Sequence, residues 1–187
     1  MDAEPTERPT VRARLDAARS LPEVFALVKR VVESALGKSR AGIMLGLTEL
    51  GAAPDAFFGG YFVVGSNAIV LNRTVLRHIE ATAQKEDPRA LNAYAFHVLL
   101  HEYLHTLGYF GEDEVRPLAY EVSREALGDD HPATAIAAAM APGARPAAAL
   151  PEYFRKLVYP AVGWVPPRPM PIEIVKGFDH DASPYIM

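Results

Sequence analysis

The sequence contains no cysteine, and this absence excludes several kinds of chemistry. Disulfide bonds, thiolate nucleophiles, iron–sulfur clusters and Cys-based zinc sites all require that residue. Any metal ion in this protein must therefore be held by His, Asp and Glu. The sequence also lacks an excess of positive charge, because 19 basic residues face 23 acidic ones. We therefore expect neither a nucleic acid nor an anionic membrane surface as its partner.

Long apolar segments are absent as well. No run approaches the ~20 apolar residues that a membrane-spanning helix needs. The N-terminal segment is charged throughout and has no apolar stretch typical of a signal peptide. We therefore expect a soluble, cytoplasmic protein. Half of the 187 residues are nevertheless hydrophobic, which excludes wholesale disorder and predicts one main domain with its own core.

Changes in composition divide the chain into three parts. Residues 1–20 are polar and form an N-terminal extension, and residues 21–141 contain the patterned segments of a folded domain. Residues 142–187 are rich in Ala and Pro. We expect this C-terminal extension to be packed on or over the domain, and to supply a last strand within 172–175.

The folded domain shows both helical and strand patterns. Ser20 and Glu23 form a capping-box pattern, and apolar residues then recur at helical spacing until Gly37. Short apolar runs bounded by Gly or Asn predict strands at 43–47, 61–64 and 68–71, of which the last two form a hairpin. The sequence therefore predicts an α+β fold with a small sheet or hairpin ahead of its main helices.

A helix is predicted at about 73–85 after this hairpin, and two longer helices follow it. The first of these two spans 89–107 and is followed by Gly108, and the second spans 113–127 and is followed by Gly128. Only about five residues join them, which favours an antiparallel pair.

The first of these two longer helices contains the motif His101-Glu102-Tyr103-Leu104-His105. Two histidines four residues apart lie on the same face of a helix, so both imidazoles can bind one metal ion. Glu102 lies beside them and is placed to take a proton from a water that the ion activates. This is the H-E-x-x-H arrangement of metal-dependent peptidases. The alternative is ordinary surface hydrogen bonding, but the helix is apolar over most of its circumference, which predicts that it is buried.

A zinc ion with an open coordination position needs a third protein ligand. One known pattern places a His or Asp six residues after the second histidine, but Gly111 stands there. The remaining candidates are the downstream carboxylates Glu112, Asp113, Glu114, Glu121 and Glu125. If the two helices turn near residue 110, position 121 returns to the level of His101, so Glu121 is the preferred ligand. Glu125 is expected either to accept a hydrogen bond from a ligand histidine or to belong to a solvated face.

Other polar residues are weaker candidates. His131, Tyr109 and Tyr120 are candidates for stabilising an oxyanion in the transition state. His97 precedes His101 by one helical turn and is either a support for the site or, as we favour, a core histidine.

At these residues the chain resembles the zincin metallopeptidases. Because Glu121 follows on a separate helix, the chain is similar to their gluzincin branch, and its size resembles that of the small archaeal minigluzincins. The resemblance covers residues 61–127 and rests on His101, Glu102, His105 and Glu121. The chain departs from the best-known gluzincins in having Tyr120, not Asn, before that glutamate.

The resemblance implies a zincin-like domain and a function. It implies that His101, His105 and Glu121 bind Zn²⁺ and that Glu102 is the general base of peptide hydrolysis. It also implies that a peptide or protein substrate adds as a β-strand above the metal-binding helix, next to the segment 61–72.

Two other functions remain open. In one, the peptidase is latent because its own C-terminal tail, with Phe178, Asp179, His180 and Asp181, enters the metal cleft. In the other, the chain keeps the zincin fold without the reaction and acts as a binding or scaffold module through its C-terminal extension.

Overall fold

The computed structural model describes residues 10–51, 58–82, 85–141 and 171–179. These residues form six α-helices and a mixed four-stranded sheet, which confirms the α+β fold class. The helices are α1 (Val11–Asp16), α2 (Leu21–Leu36), α3 (Arg73–Thr82), α4 (Ala90–Thr106), α5 (Glu112–Leu127) and α6 (Pro132–Met140). The strands are β1 (Met44–Thr48), β2 (Gly60–Phe62), β3 (Ala68–Asn72) and β4 (Glu173–Ile174).

Helix α2 begins and ends at the predicted residues. The Ser20 hydroxyl accepts the backbone N–H of Glu23, and the Glu23 carboxylate accepts the backbone N–H of Arg19. Gly37 ends the helix with φ of 63°, a left-handed conformation that glycine adopts without steric cost. The predicted helix start at Ser20 is therefore confirmed, although Glu23 accepts from Arg19 and not, as in a standard capping box, from the N–H of Ser20.

The sheet has the strand order β2-β3-β1-β4. Strands β1 and β3 are parallel, whereas β2 and β4 are antiparallel to their neighbours. The predicted hairpin is formed by β2 and β3, and Gly65 turns between them with φ of 82°. Among the described residues, β2 is one edge of the sheet and β4 is the other.

Helix α4 is the centre of the domain. It contacts every other helix as well as β2 and β3. Most of its residues are buried, including Tyr94, Leu99 and Tyr103, as its apolar circumference predicts. In the part of the chain that the structure describes, no helix is long and apolar enough to cross a membrane.

Both extensions contribute to the folded unit. Leu15 of α1 is fully buried in the core, so packing begins before residue 21. At the other end, β4 lies inside the predicted segment 172–175 and pairs with β1. Phe178 stacks on Phe25 of α2 with ring centroids 4.3 Å apart, so this segment packs on the domain.

Candidate metal centre

Three side chains converge at the end of α4 and the start of α5. The Nε2 atoms of His101 and His105 are 3.2 Å apart, and Oε1 of Glu112 lies 3.4 Å from each of them. A tetrahedral ion about 2.0–2.1 Å from its ligands separates the ligand atoms by roughly 3.3 Å. The three donor atoms therefore have the spacing that one small divalent ion requires.

The orientation of His105 leaves Nε2 free for a metal. Its Nδ1 lies 2.7 Å from the backbone carbonyl oxygen of Tyr109, which can only accept a hydrogen bond. The proton is therefore on Nδ1, and Nε2 presents a lone pair to the centre. A hydrogen bond of this kind is the usual support of a metal-binding histidine.

The electrostatics also favour a cation at this position. Burial lowers the pKa of His101, despite the opposing charge of Glu112, which favours the neutral imidazole that binds metals. For Glu112, burial raises the pKa, but the Nε–H of Arg116, 2.7 Å from Oε2, and the nearby imidazoles outweigh it and lower the pKa. Both shifts therefore favour the metal-binding forms of these two side chains, a neutral imidazole and an ionised carboxylate.

Glu102 lies next to this centre and is not one of its three donors. Its side chain is buried, and burial, with the charge of Glu112, raises its pKa to about 7. The backbone N–H of Phe62 in β2 donates to its carboxylate and opposes that rise. A carboxyl group whose pKa lies near neutrality can both take and return a proton, as a general base must.

A cleft of about 270 Å³ opens beside these residues. Its floor is α4, with His97 and Val98 one turn before the motif. Residues 58–60, leading into β2, form one wall, and Glu112 and Arg116 of α5 form another. The cleft therefore lies between the metal centre and the edge strand of the sheet.

The edge strand offers backbone groups to this cleft. Gly59 and Val63 form hydrogen bonds with β3. Since the bonding direction alternates along a strand, Gly60 and Phe62 direct their backbone groups away from β3. A side chain cannot be added at Gly60, because a Cβ there would lie 2.5 Å from the carbonyl oxygen of Val70.

The structure does not bring Glu121 or Glu125 to the imidazoles. Helix α5 buries its apolar face, with Val115 and Val122, so both glutamates lie on the exposed side. Glu121 pairs with Arg124 at 2.6 Å. Glu125 lines a separate groove between α2 and α5. Glu112, one of the alternatives kept open, occupies the position expected for Glu121.

The predicted oxyanion-stabilising residues lie elsewhere. His131 is buried at the start of α6, where Nδ1 accepts the backbone N–H of Ala133 and Nε2 contacts Asp16. Tyr120 is half-buried on α5 and does not line the cleft described here. Tyr109 contributes its backbone carbonyl to His105, while its hydroxyl contacts Nζ of Lys38 at 2.9 Å.

His97 is buried, as a core histidine should be, and it also lines the cleft. Burial and the neighbouring His101 lower its pKa to about 3. In the part of the chain that the structure describes, its Nδ1 has no hydrogen-bond partner.

The tail residues that we considered as inhibitory are placed only in part. Phe178 packs on α2, and Oδ1 of Asp179 lies 2.8 Å from Nζ of Lys29. Both are therefore held outside the metal cleft, whereas His180 and Asp181 lie outside the described residues.

Arg116 was not recognised from the sequence as a site residue. A signal for it existed, because it follows Glu112 by four residues and so lies on the same face of α5.

No family model matches this chain, and comparisons with curated proteins and with solved structures find no match either. The interpretation of the site therefore rests on its own geometry.

Proposed function

We propose that this protein is a zinc-dependent metallopeptidase with a zincin-like fold, in which His101, His105 and Glu112 bind the ion and Glu102 is the general base. The observation that carries the proposal is the convergence of three donor atoms that lie within 3.4 Å of one another, next to a buried carboxyl group. Two histidines, one carboxylate and an open fourth position are a ligand set typical of catalytic zinc. This assignment replaces Glu121 with Glu112 as the third ligand.

When bound, the ion would polarise the substrate carbonyl and lower the pKa of a water. Glu102 takes a proton from the attacking water while the water oxygen bonds to the carbonyl carbon. Glu102 then returns the proton to the departing nitrogen as the C–N bond breaks, which yields a carboxylic acid and an amine. The N–H of Phe62 keeps the Glu102 carboxylate oriented throughout.

The proposed substrate is an extended peptide. The outward backbone groups of Gly60 and the outward carbonyl of Phe62, whose N–H is bound to Glu102, allow a peptide to add to β2 as a further strand. Such a strand would run along the wall of the cleft, so its backbone would pass beside Glu102 and the metal ligands.

The proposal is tested by measuring zinc content and peptide hydrolysis for the wild type and for Glu102→Gln. The variant should keep its zinc, because Glu102 is not a ligand, and should lose activity by about 10²–10⁴-fold. Glu80→Gln, an exposed glutamate on α3, is the matched control and should change neither quantity. Hydrolysis that survives Glu102→Gln contradicts the mechanism. Stoichiometric zinc with no hydrolysis by the wild type would instead favour a binding role.

A further inference from the structure

We infer that Arg116 recognises a carboxylate group that the peptide substrate carries close to the bond that is cleaved. This inference rests on the proposed function and adds a substrate class to it: peptides with a negative charge next to the scissile bond.

The position of Arg116 places a cation inside the cleft. It lies one turn after Glu112 on α5 and lines the same cleft as His101 and Glu102. Arg116 is therefore close to the point where the substrate carbonyl would meet the ion.

The guanidinium has unused hydrogen-bond donors. Nε–H donates to Oε2 of Glu112 at 2.7 Å. Within the described part of the chain, the two terminal nitrogens of Arg116 form no hydrogen bond, and the side chain is 46% exposed. Because Nε is already bound, the free edge formed by the terminal nitrogens remains available, and this edge matches both oxygens of a carboxylate.

The charge balance of the cleft favours an anionic substrate group. Its described charged residues are Arg116, Glu112 and, when ionised, Glu102. A divalent ion would bring the sum from −1 to +1. A substrate carboxylate would reduce this excess, whereas a neutral peptide would leave it unbalanced.

Two kinds of peptide supply such a carboxylate. One has its own C-terminus close to the scissile bond, which would make the protein an exopeptidase. The other has an Asp or Glu side chain there, which would make it an endopeptidase selective for acidic sequences.

The test measures peptide binding to the zinc-loaded Glu102→Gln protein, in which turnover is blocked. One series consists of short alanine-rich peptides with a free C-terminus and their C-terminal amides. A second series consists of amidated peptides with Glu at each position in turn and their Gln twins. Each peptide is measured again with Arg116→Gln added, and with Arg124→Gln as the control.

Arg124 is the matched control because it lies on the same helix, is similarly exposed and also binds a glutamate, but outside the cleft. We expect carboxylate peptides of one series to bind roughly 10–100-fold more tightly than their neutral twins. Arg116→Gln should abolish that preference, and Arg124→Gln should preserve it. The series that shows the preference identifies the source of the carboxylate.

Zinc content is measured in every variant, because Arg116 also orients Glu112. Equal binding of acidic and neutral twins, binding by neither, or a preference that survives Arg116→Gln would overturn the inference. The proposed function is judged separately by hydrolysis of casein by the wild type, so the two can fail independently.

Discussion

Helix α5 carries two Glu–Arg pairs that look alike in isolation. Glu112 and Arg116 are 2.7 Å apart, and Glu121 and Arg124 are 2.6 Å apart. All four side chains are about half exposed. Only the first pair lies beside two imidazoles, where Glu112 contacts His101 at 3.4 Å. The comparison shows that neighbouring elements, and not the ion pair itself, distinguish a candidate metal ligand from a surface glutamate.

Distance along the helix explains the difference. Helix α5 starts only seven residues after His105, so its first turn stays beside the end of α4. Nine residues separate Glu112 from Glu121, which corresponds to about 13 Å along a helix axis. The two carboxylates therefore cannot serve the same ion, and a single measurement can decide between them.

The largest expected effect is on zinc affinity. Glu112→Gln removes one of the three proposed protein ligands and should weaken zinc binding by at least about 100-fold, measured by competition with a chromophoric chelator. Glu121→Gln is the matched change and should leave the affinity within about twofold. If Glu121→Gln loses the ion and Glu112→Gln keeps it, the original assignment of Glu121 is correct.

The sequence predicted what depends on local periodicity. The spacing of His101 and His105 places both imidazoles on one face of any helix, and Ser20 with Glu23 determines where α2 begins. The strands at the hairpin and in the C-terminal extension were found for the same reason.

The third donor depends on tertiary structure. It is determined by how Gly108, with φ of 97°, turns the chain between α4 and α5, and by which face of α5 is buried. The spacing of the downstream carboxylates along the sequence does not show which of them lies beside the two imidazoles. The burial of Val115 and Val122 could have indicated that Glu121 faces solvent, because it lies on the opposite side of the helix.

His131, which follows the far end of α5, should contribute to acid stability. This buried histidine caps α6 through Nδ1 and contacts Asp16. Burial lowers its pKa, and the charges of Arg12 and Arg89 act in the same direction, whereas Asp16 opposes them. The neutral form is therefore favoured in the fold, and its stabilisation is complete above the unfolded pKa of about 6.5.

This stabilisation should be lost as the pH falls below about 6.5 toward the lower folded pKa, with a slope of at most about 1.4 kcal/mol per pH unit. His131→Asn keeps a helix-capping acceptor but removes the titration. The free energy of unfolding of the zinc-free protein, measured in urea between pH 7.5 and 5, should decline less steeply in this variant. Equal slopes in the two proteins would show that His131 does not contribute.

The smallest expected effect is that of the Glu121–Arg124 ion pair on thermal stability. Glu121→Gln and Arg124→Gln each break an ion pair whose two side chains are about half exposed. Because water and salt screen the attraction between such side chains, the pair contributes little to the free energy of unfolding. The thermal unfolding midpoint of the zinc-free protein should stay within about 1 °C of the wild type. A clear loss of stability that disappears at high salt would show that the pair is coupled to the charges near Gly128, where Arg12 binds Asp130. The far end of α5 would then carry an electrostatic network. The Glu121–Arg124 pair would stabilise the fold, whereas the Glu112–Arg116 pair would serve the proposed metal site.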